Sequence, residues 1–393
     1  MDKIEELLTR GIANIIPSKK ELEKLLRSKK TLNVYLGIDP TMTEIHLGHA
    51  VPLRKLQMLA DLGANVTFLI GDFTALIGDT SDKDSERPVL TSEQIEKNFK
   101  DYKKQAEKIL DFSKVKIKFN SEWLKELSFT EIVKFCQHFS VGDFVSRELI
   151  KKRLNEGKRV GLHELLYPVM QGYDSYFLDS DIQIGGTDQT FNMQAGRTLQ
   201  KDLRDKESFI IATQFLMGTD GRKMSKTWGN AIWLDDKPSD MYAKIMAIRD
   251  DLIIEYFTLA TNIPLSQIEN LKEEVKSNPL KAKKKLANEI VKELHGQNET
   301  DIAAQNFEKT VQKKETPSEM TIFSLSKTFV SGASISDVLV RTELSLSKSE
   351  AKRLIEQRGV SVDNQVISNP NTPFKGEFIK VGKRKFVKIK VED

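Results

Sequence analysis

The chain has 393 residues, 39% of them apolar and 30% charged, a balance that excludes whole-chain disorder and, at about 150 residues per domain, predicts two or three domains. No apolar run approaches the roughly 18 residues of a membrane span, the opening Met1-Asp2-Lys3-Ile4-Glu5-Glu6 is acidic where a signal peptide is basic, and Cys136 is alone. Neither an internal disulfide nor a zinc site is available to it, and a reducing cytoplasm, away from any membrane, is the expected compartment.

The elements follow in chain order. Residues 31–39 alternate and are rich in β-formers, a helical pattern runs from 48 to 62 and stops at Gly63, and 66–70 is an apolar run of the kind a doubly buried strand shows. That is a βαβ unit. Strand-like runs at 115–119, 182–184 and 208–214 alternate with helical segments. One of these, 91–111, lines Ile95, Phe99, Tyr102, Ala106 and Ile109 along one face and starts with Thr91 and Gln94 spaced as a capping box. The pattern predicts an open parallel sheet with helices on both sides, whose ligands bind at the carboxyl ends of its strands. From about 233 the strands stop and helical patterns continue to about 313, including the basic stretch Lys281-Ala282-Lys283-Lys284-Lys285. Residues 312–320, polar and containing Pro317, read as a linker. Past Gly332 come two short helices, a hairpin over 360–367 with Asp363-Asn364 at its turn, and a strand of alternating basic and apolar residues over 383–391.

Charge separates this last module from the rest. Residues 332–393 hold twelve lysines and arginines against eight acids, whereas residues 1–331 balance, so the tail owns the whole net charge of +4. A small module with all the positive excess points to a polyanionic partner such as RNA or DNA, although a solvated lysine-rich surface has the same composition.

Two motifs carry chemistry. The strand over 31–39 puts Tyr35, Gly37 and Asp39 on one face by its period of two. Pro40-Thr41-Met42-Thr43-Glu44-Ile45-His46-Leu47-Gly48-His49 then leads into the helix. Two histidines three apart share one side of a helical turn, and the free N–H groups and dipole at a helix start add positive potential, a combination that suits a polyphosphate. Zinc fits less well, because the usual helical pair is four apart with a glutamate between and no third ligand is evident. The second motif is Gly221-Arg222-Lys223-Met224-Ser225-Lys226-Thr227-Trp228-Gly229, a glycine-flanked loop whose two lysines and neighbouring hydroxyls can close on an anion. Taken singly, each also fits an ordinary surface.

In this order, about 180 residues apart across a parallel-sheet pattern, the motifs resemble the signatures of class I aminoacyl-tRNA synthetases. Residues 46–49 match His-Ile-Gly-His, and residues 223–227 match Lys-Met-Ser-Lys-Ser with Thr227 keeping the final hydroxyl. More narrowly, the chain resembles the bacterial tyrosyl-tRNA synthetases along essentially its whole length, in the form with a Lys-Met-Ser-Lys loop. The segments that carry this are Tyr35-Leu36-Gly37-Ile38-Asp39-Pro40, Tyr167-Pro168-Val169-Met170-Gln171-Gly172-Tyr173-Asp174 and Ile184-Gly185-Gly186-Thr187-Asp188-Gln189.

The resemblance implies an α/β chain: a Rossmann-like catalytic domain over 1–228 with a dimer-forming insertion at about 121–160, a helical anticodon-side domain and linker over 229–320, and an S4-like RNA-binding domain over 332–393. It implies a homodimer that uses L-tyrosine, ATP with Mg²⁺ and tRNA-Tyr as substrates, and no dedicated protein cage for a metal. Tyr35 and Asp174 would take the phenol hydroxyl, Tyr167, Gln171 and Asp79 the α-ammonium group, and Gln189 would lie near the carboxylate. Gly37, Asp39, His46, Gly48, His49, Gly186, Asp188 and Lys226 would line the ATP side. Thr41, His46, His49, Lys83, Arg87, Lys223, Lys226 and Thr227 would act on the phosphates, and Arg341, Lys348, Lys352 and Arg353 would follow an RNA backbone.

The spacing itself adds that Tyr167, Gln171 and Asp174, at i, i+4 and i+7, form one stripe of a helix that runs past Pro168 or begins there. A pocket built to bond a hydroxyl rejects phenylalanine, because its buried polar groups would be left unpaired. Three other classes share features. A small-molecule nucleotidyltransferase has the histidine motif but needs no basic tail, a tryptophanyl-tRNA synthetase has no use for Tyr35 with Asp174, and a noncatalytic RNA-binding relative would lack the signature histidines and lysines.

Overall fold

The structure, a computed structural model, describes residues 2–28, 30–78, 90–309, 321–363, 365–382 and 385–392. Asp79, Lys83 and Arg87, the linker at 312–320 and Asn364 lie outside the described residues. The chain divides into two compact units, Met1–Asp301 and Ile302–Asp393.

The first unit is built on six strands: β1 (Ile12–Ile16), β2 (Asn33–Ile38), β3 (Asn65–Ile70), β4 (Val115–Phe119), β5 (Ile182–Gly186) and β6 (Phe209–Thr213). Their order is β1-β6-β5-β2-β3-β4. All neighbours are parallel except β1, which pairs antiparallel to β6 with a register shift between Ile12 and Asn14. The parallel strands are those the sequence pattern anticipates. The antiparallel edge is not among them, since one short, irregular and half-exposed strand carries no clean alternation.

The helices of this unit are α1 (Lys3–Leu7), α2 (Lys19–Arg27), α3 (Leu47–Asp61), α4 (Ser92–Ala106), α5 (Ser121–Leu124), α6 (Phe129–Cys136), α7 (Val141–Val145), α8 (Glu148–Asn155), α9 (Leu162–Phe177), α10 (Thr190–Arg204), α11 (Pro238–Met246), α12 (Ile253–Ala260), α13 (Leu265–Ser277) and α14 (Pro279–His295), with α15 (Gln297–Phe307) running across the boundary. The helix α3 is buried along Leu47, Ala50, Val51, Leu53, Leu56 and Leu59 and ends where Gly63 takes a φ of +88°, which a side chain would resist. At the start of α4 the Thr91 and Gln94 side chains form the expected reciprocal cap. From Pro238 to Asp301 the chain is mostly helical and belongs to the first unit. Arg54, at the middle of α3, pairs with Glu293 of α14 and donates to the Ala260 carbonyl at 3.1 Å, so α3 is tied to the helical segment beyond its histidine turn.

Because β2 leads outward through β3 to β4 while β5 returns on its other side, the connection reverses between β2 and β5. A crevice opens beyond the carboxyl ends of these strands.

The second unit has five strands, β7 (Thr321–Ser326), β8 (Val360–Val362), β9 (Gln365–Val366), β10 (Phe378–Val381) and β11 (Lys385–Glu392), in the order β7-β11-β10-β8-β9. Helices α16 (Lys327–Gly332), α17 (Ile335–Arg341) and α18 (Lys348–Glu356) accompany them. Val338, Leu339, Ala351, Ile355, Val360, Ile379, Val387 and Ile389 form its core. Strand β7 pairs parallel to β11, so this unit begins before Gly332, the point at which the charge pattern changes. Among the described residues no helix is long and apolar enough to cross a membrane.

Candidate active site

The crevice holds a cavity of about 750 Å³. Every described site residue expected in the first unit lines it: Tyr35, Gly37 and Asp39 from β2 and its end; Thr41, His46, Gly48 and His49 from the segment entering α3; Tyr167, Gln171 and Asp174 from α9; Gly186, Asp188 and Gln189 after β5; and Lys223, Lys226 and Thr227 from the glycine-flanked loop.

The helix α9 runs through Pro168, so the stripe of Tyr167, Gln171 and Asp174 forms as the spacing predicts. Its first turn is held by Glu164, which accepts the Gly161 N–H at 2.7 Å and pairs with Arg153 of α8 at 2.6 Å, both side chains almost fully buried. Close backbone approach of α10 is possible because Gly172 faces Ala195, whose backbone would lie 3.2 Å from an added Cβ.

At the deep end, Asp174 accepts the Trp123 indole N–H on Oδ1 at 2.7 Å and the Asn120 amide on Oδ2 at 3.1 Å. Burial raises its carboxyl to about 8, against the lowering effect of those two donors. The Tyr35 hydroxyl donates to Gln183 Oε1 at 3.0 Å, and burial followed by the nearby Asp174 charge holds its pKa well above the ordinary phenol value. Asn120 also donates to Thr74 Oγ1 at 3.0 Å, Thr74 donates to Asp39 Oδ1 at 2.7 Å, and Tyr167 donates to Asp39 Oδ2 at 2.9 Å. One hydrogen-bonded chain therefore joins Asp174 to Asp39 and Tyr167. It needs Gly71, since a Cβ there would lie 2.0 Å from Asp39 Oδ1.

The connecting residues Thr74, Asn120, Trp123 and Gln183 are absent from the sequence-based set. A signal for two of them exists: Gln183 is a lone polar residue inside an apolar strand, and Asn120 follows directly on β4, where polar residues meet ligands. Trp123 and Thr74 sit in segments with no such mark.

At the other end His46 is the N-cap of α3, its Nδ1 accepting the His49 N–H at 3.3 Å. The two imidazoles stack with centroids 3.7 Å apart, a spacing kept by Gly48, whose added Cβ would lie 3.0 Å from the His46 ring. Burial, then the neighbouring His49, pushes the His46 pKa far below its ordinary value. With Nδ1 accepting, a neutral His46 imidazole carries its proton on Nε2 and can donate a hydrogen bond there.

The glycine-flanked loop hangs on Asn230, which accepts the Ser225 N–H at 2.8 Å and donates to Asp220 at 2.8 Å and to the Lys223 carbonyl at 3.2 Å, while Met224 is buried. Lys223 and Lys226 extend from this frame to the cavity rim. Buried hydrogen-bonding groups at one end and lysine ammonium groups with a helix start at the other suit a small polar molecule joined to a polyphosphate. Among the described residues no cluster of three histidine, cysteine or carboxylate side chains is arranged to hold a metal ion.

Comparison with known proteins agrees with this geometry. The family described as tRNA synthetases class I (W and Y) matches residues 27–312, and the S4 domain matches residues 335–377. The chain is 40% identical over 391 residues to the tyrosine–tRNA ligase of Thermotoga maritima, covering 98% of this chain and 96% of that one. It is 42% identical over 397 residues to the tyrosine–tRNA ligase of Carboxydothermus hydrogenoformans, covering 98% and 97%. Among solved structures, a C-terminally truncated mitochondrial tyrosyl-tRNA synthetase of Aspergillus nidulans superposes with a TM-score of 0.66 at 24% identity, over 77% of this chain and 92% of that one. The tyrosyl-tRNA synthetase of Archaeoglobus fulgidus complexed with L-tyrosine gives 0.61 at 24%, over 77% and 100%. At those identities the structural likeness is one of fold. The sequence matches over nearly the whole chain go further: this chain belongs to the tyrosine–tRNA ligases of the class I tRNA synthetase family.

Proposed function

We infer that the cavity activates L-tyrosine with ATP and that the tyrosyl group then passes to the 3′ end of tRNA-Tyr. The observation that carries this is the pairing of Asp174 and Tyr35 at a buried, hydrogen-bonded end with the His46/His49 turn and Lys223/Lys226 at the other. The substrate carboxylate is already ionised, so attack on the α-phosphate needs no general base. Catalysis falls to positioning and to groups that hold the β- and γ-phosphates more tightly in the transition state than before it.

In this reading Tyr35 and Asp174 receive the phenol hydroxyl, Tyr167, Gln171 and Asp79 the α-ammonium group, and Gln189 the carboxylate side. Gly37, Asp39, Gly48, Gly186 and Asp188 border the adenosine. His46 and Thr41 donate hydrogen bonds, and His49, Lys83, Arg87, Lys223, Lys226 and Thr227 complete the phosphate contacts. Mg²⁺ enters with ATP, bound through phosphate oxygens and water, and neutralises phosphate charge. Residues 1–228, 229–320 and 332–393 then correspond to catalytic, anticodon-side and S4-like parts, and Arg341, Lys348, Lys352 and Arg353, all exposed, contact RNA phosphates.

A homodimer through residues 121–160 is supported by apolar side chains left on that surface, including Phe129 at 80% and Val141 at 71% exposure. The single cysteine suits a cytoplasmic setting. ATP–pyrophosphate exchange with each of the twenty amino acids tests the reading: exchange driven by tyrosine alone is expected, and none with tyrosine, or equal exchange with tryptophan, would refute it.

A further inference from the structure

Both lysines of the glycine-flanked loop already face carboxylates across the cavity rim. Lys226 Nζ lies 2.6 Å from Glu44 Oε2, and Lys223 Nζ lies 3.9 Å from Asp188 Oδ2 and 4.5 Å from the centre of the Phe215 ring. Glu44 stands two residues before His46 and lines the same cavity. The loop does not need this pair in order to fold, because Asn230, Asp220 and buried Met224 fix its backbone. What Glu44 fixes is the resting position of one ammonium group.

The pair is also exchangeable. The Lys226 side chain is 64% exposed and that of Glu44 43%, and ion pairs so open to water are worth only a few-fold in an equilibrium constant. A phosphate chain entering the cavity can therefore displace the carboxylate, and part of its attraction to Lys226 is offset by the contact that is lost.

We propose that Glu44 is a positioning residue for Lys226: it holds the ammonium in the free protein and competes with ATP for it in the ground state, so that the full lysine–phosphate contact is reached only as charge builds on the leaving pyrophosphate. The chemical half of this proposal rests on the tyrosine-activation reading, whereas the competition for Lys226 rests on the geometry alone. Its logic is differential binding. A lysine that held the phosphates equally before and during the reaction would lower KM without raising kcat, and a ground-state competitor removes part of that uniform binding.

The test uses the full chain as wild type, Glu44→Gln, Glu44→Asp, Lys226→Ala and the double variant Glu44→Gln/Lys226→Ala. Inorganic pyrophosphate binding is measured by calorimetry, and tyrosyl-adenylate formation in single turnovers. Glu44→Gln is expected to tighten pyrophosphate and to lower the half-saturating ATP concentration by roughly two- to fivefold, with no gain in rate at saturating ATP and no change in tyrosine affinity. Glu44→Asp, which keeps the charge, should stay near wild type, and the gain should shrink as salt screens the pair. In the Lys226→Ala background the gain should vanish. Unchanged or weaker pyrophosphate binding in Glu44→Gln would overturn the proposal, and so would a gain that persists without Lys226, which would assign it to direct repulsion of phosphate by Glu44. If wild type bound pyrophosphate in the expected pattern yet formed no tyrosyl-adenylate, the activation reading would fail and the competition would stand.

Discussion

The two units present their polar residues in opposite ways. In Met1–Asp301 the site side chains converge on a cavity, where Asp174, Tyr35, Gln183, Asn120, Thr74 and Asp39 satisfy one another through bonds of 2.7–3.1 Å. In Ile302–Asp393 the apolar residues fill the core, and Arg341, Lys348, Lys352 and Arg353 lie exposed on two helices. Burial makes each missing partner costly, so the first arrangement confers selectivity. Exposed cations attract any phosphate backbone and lose strength with salt, so the second confers affinity with little selectivity. The comparison predicts that the two half-reactions respond to different perturbations.

The largest separation should come from removing the second unit. The cut belongs after α15, because ending the chain at Gly332 would leave β7 without its partner β11. A chain ending at residue 309 should form tyrosyl-adenylate at the wild-type rate. Its tRNA charging at physiological salt should fall steeply, as the phosphate contacts proposed for Arg341, Lys348, Lys352 and Arg353 disappear. Equal charging by both forms over a salt series would dissolve the distinction.

Within the first unit, His49→Ala should slow adenylate formation on the order of a hundredfold while the tyrosine dissociation constant hardly moves, since a phosphate-side donor acts mainly in the transition state. Stopped-flow single turnovers separate the two quantities. Weakened tyrosine binding with a normal rate would place His49 at the wrong end of the cavity.

Asp174→Asn and Tyr35→Phe should do the reverse, weakening tyrosine by about 1–3 kcal/mol each and leaving ATP binding nearly intact. Asp174 adds a pH signature. Its carboxyl is raised to about 8 in the fold and would titrate near 3.9 in the unfolded chain. Between those values the folded state binds the extra proton, so the Asp174 contribution to stability is complete below about pH 4, declines as pH rises to about 8 and is flat above. Urea unfolding of wild type against Asp174→Asn should therefore show the wild-type advantage shrinking from pH 5 to pH 8. A difference independent of pH would mean that Asp174 is ionised throughout.

Part of this architecture is written in local sequence signals. The parallel strands β2 to β6 and the caps of α3 and α4 follow from short-range patterns, and the histidine and lysine motifs lie on contiguous residues. The chain from Asp174 through Asn120 and Thr74 to Asp39 joins four separate segments, and no spacing rule connects them. Strand β7 is hidden for a related reason: it pairs with β11, more than sixty residues later, and its own six residues alternate only weakly. The ionic state of His46 depends on burial, which a motif does not record. Within the basic stretch at 281–285, Lys281 pairs with Glu274 at 2.7 Å and Lys283 with Asp250 at 2.6 Å, acids supplied from outside the stretch that no local pattern reveals.

The smallest predicted effect makes the sharpest use of the comparison, because it asks whether exposed cations of the second unit are equivalent. Lys348 and Lys352 lie one turn apart on α18, so sequence spacing treats them alike. Lys348 is 2.6 Å from Asp337, whose carboxyl is held at about 2 by that lysine and by Ser334. Contact between Lys348 and a phosphate must displace Asp337 and gains correspondingly less. Lys352 is exposed and has no ion pair among the described residues. Lys352→Ala should then weaken tRNA binding a few-fold and reduce the slope of log affinity against log salt by about 1, whereas Lys348→Ala should change both by less. Asp337→Asn, by releasing Lys348, should raise affinity slightly and steepen the slope. Identical slopes for the two lysine variants would show that the Asp337 pair is broken or irrelevant in the complex, and that position on the helix alone decides which cations meet RNA.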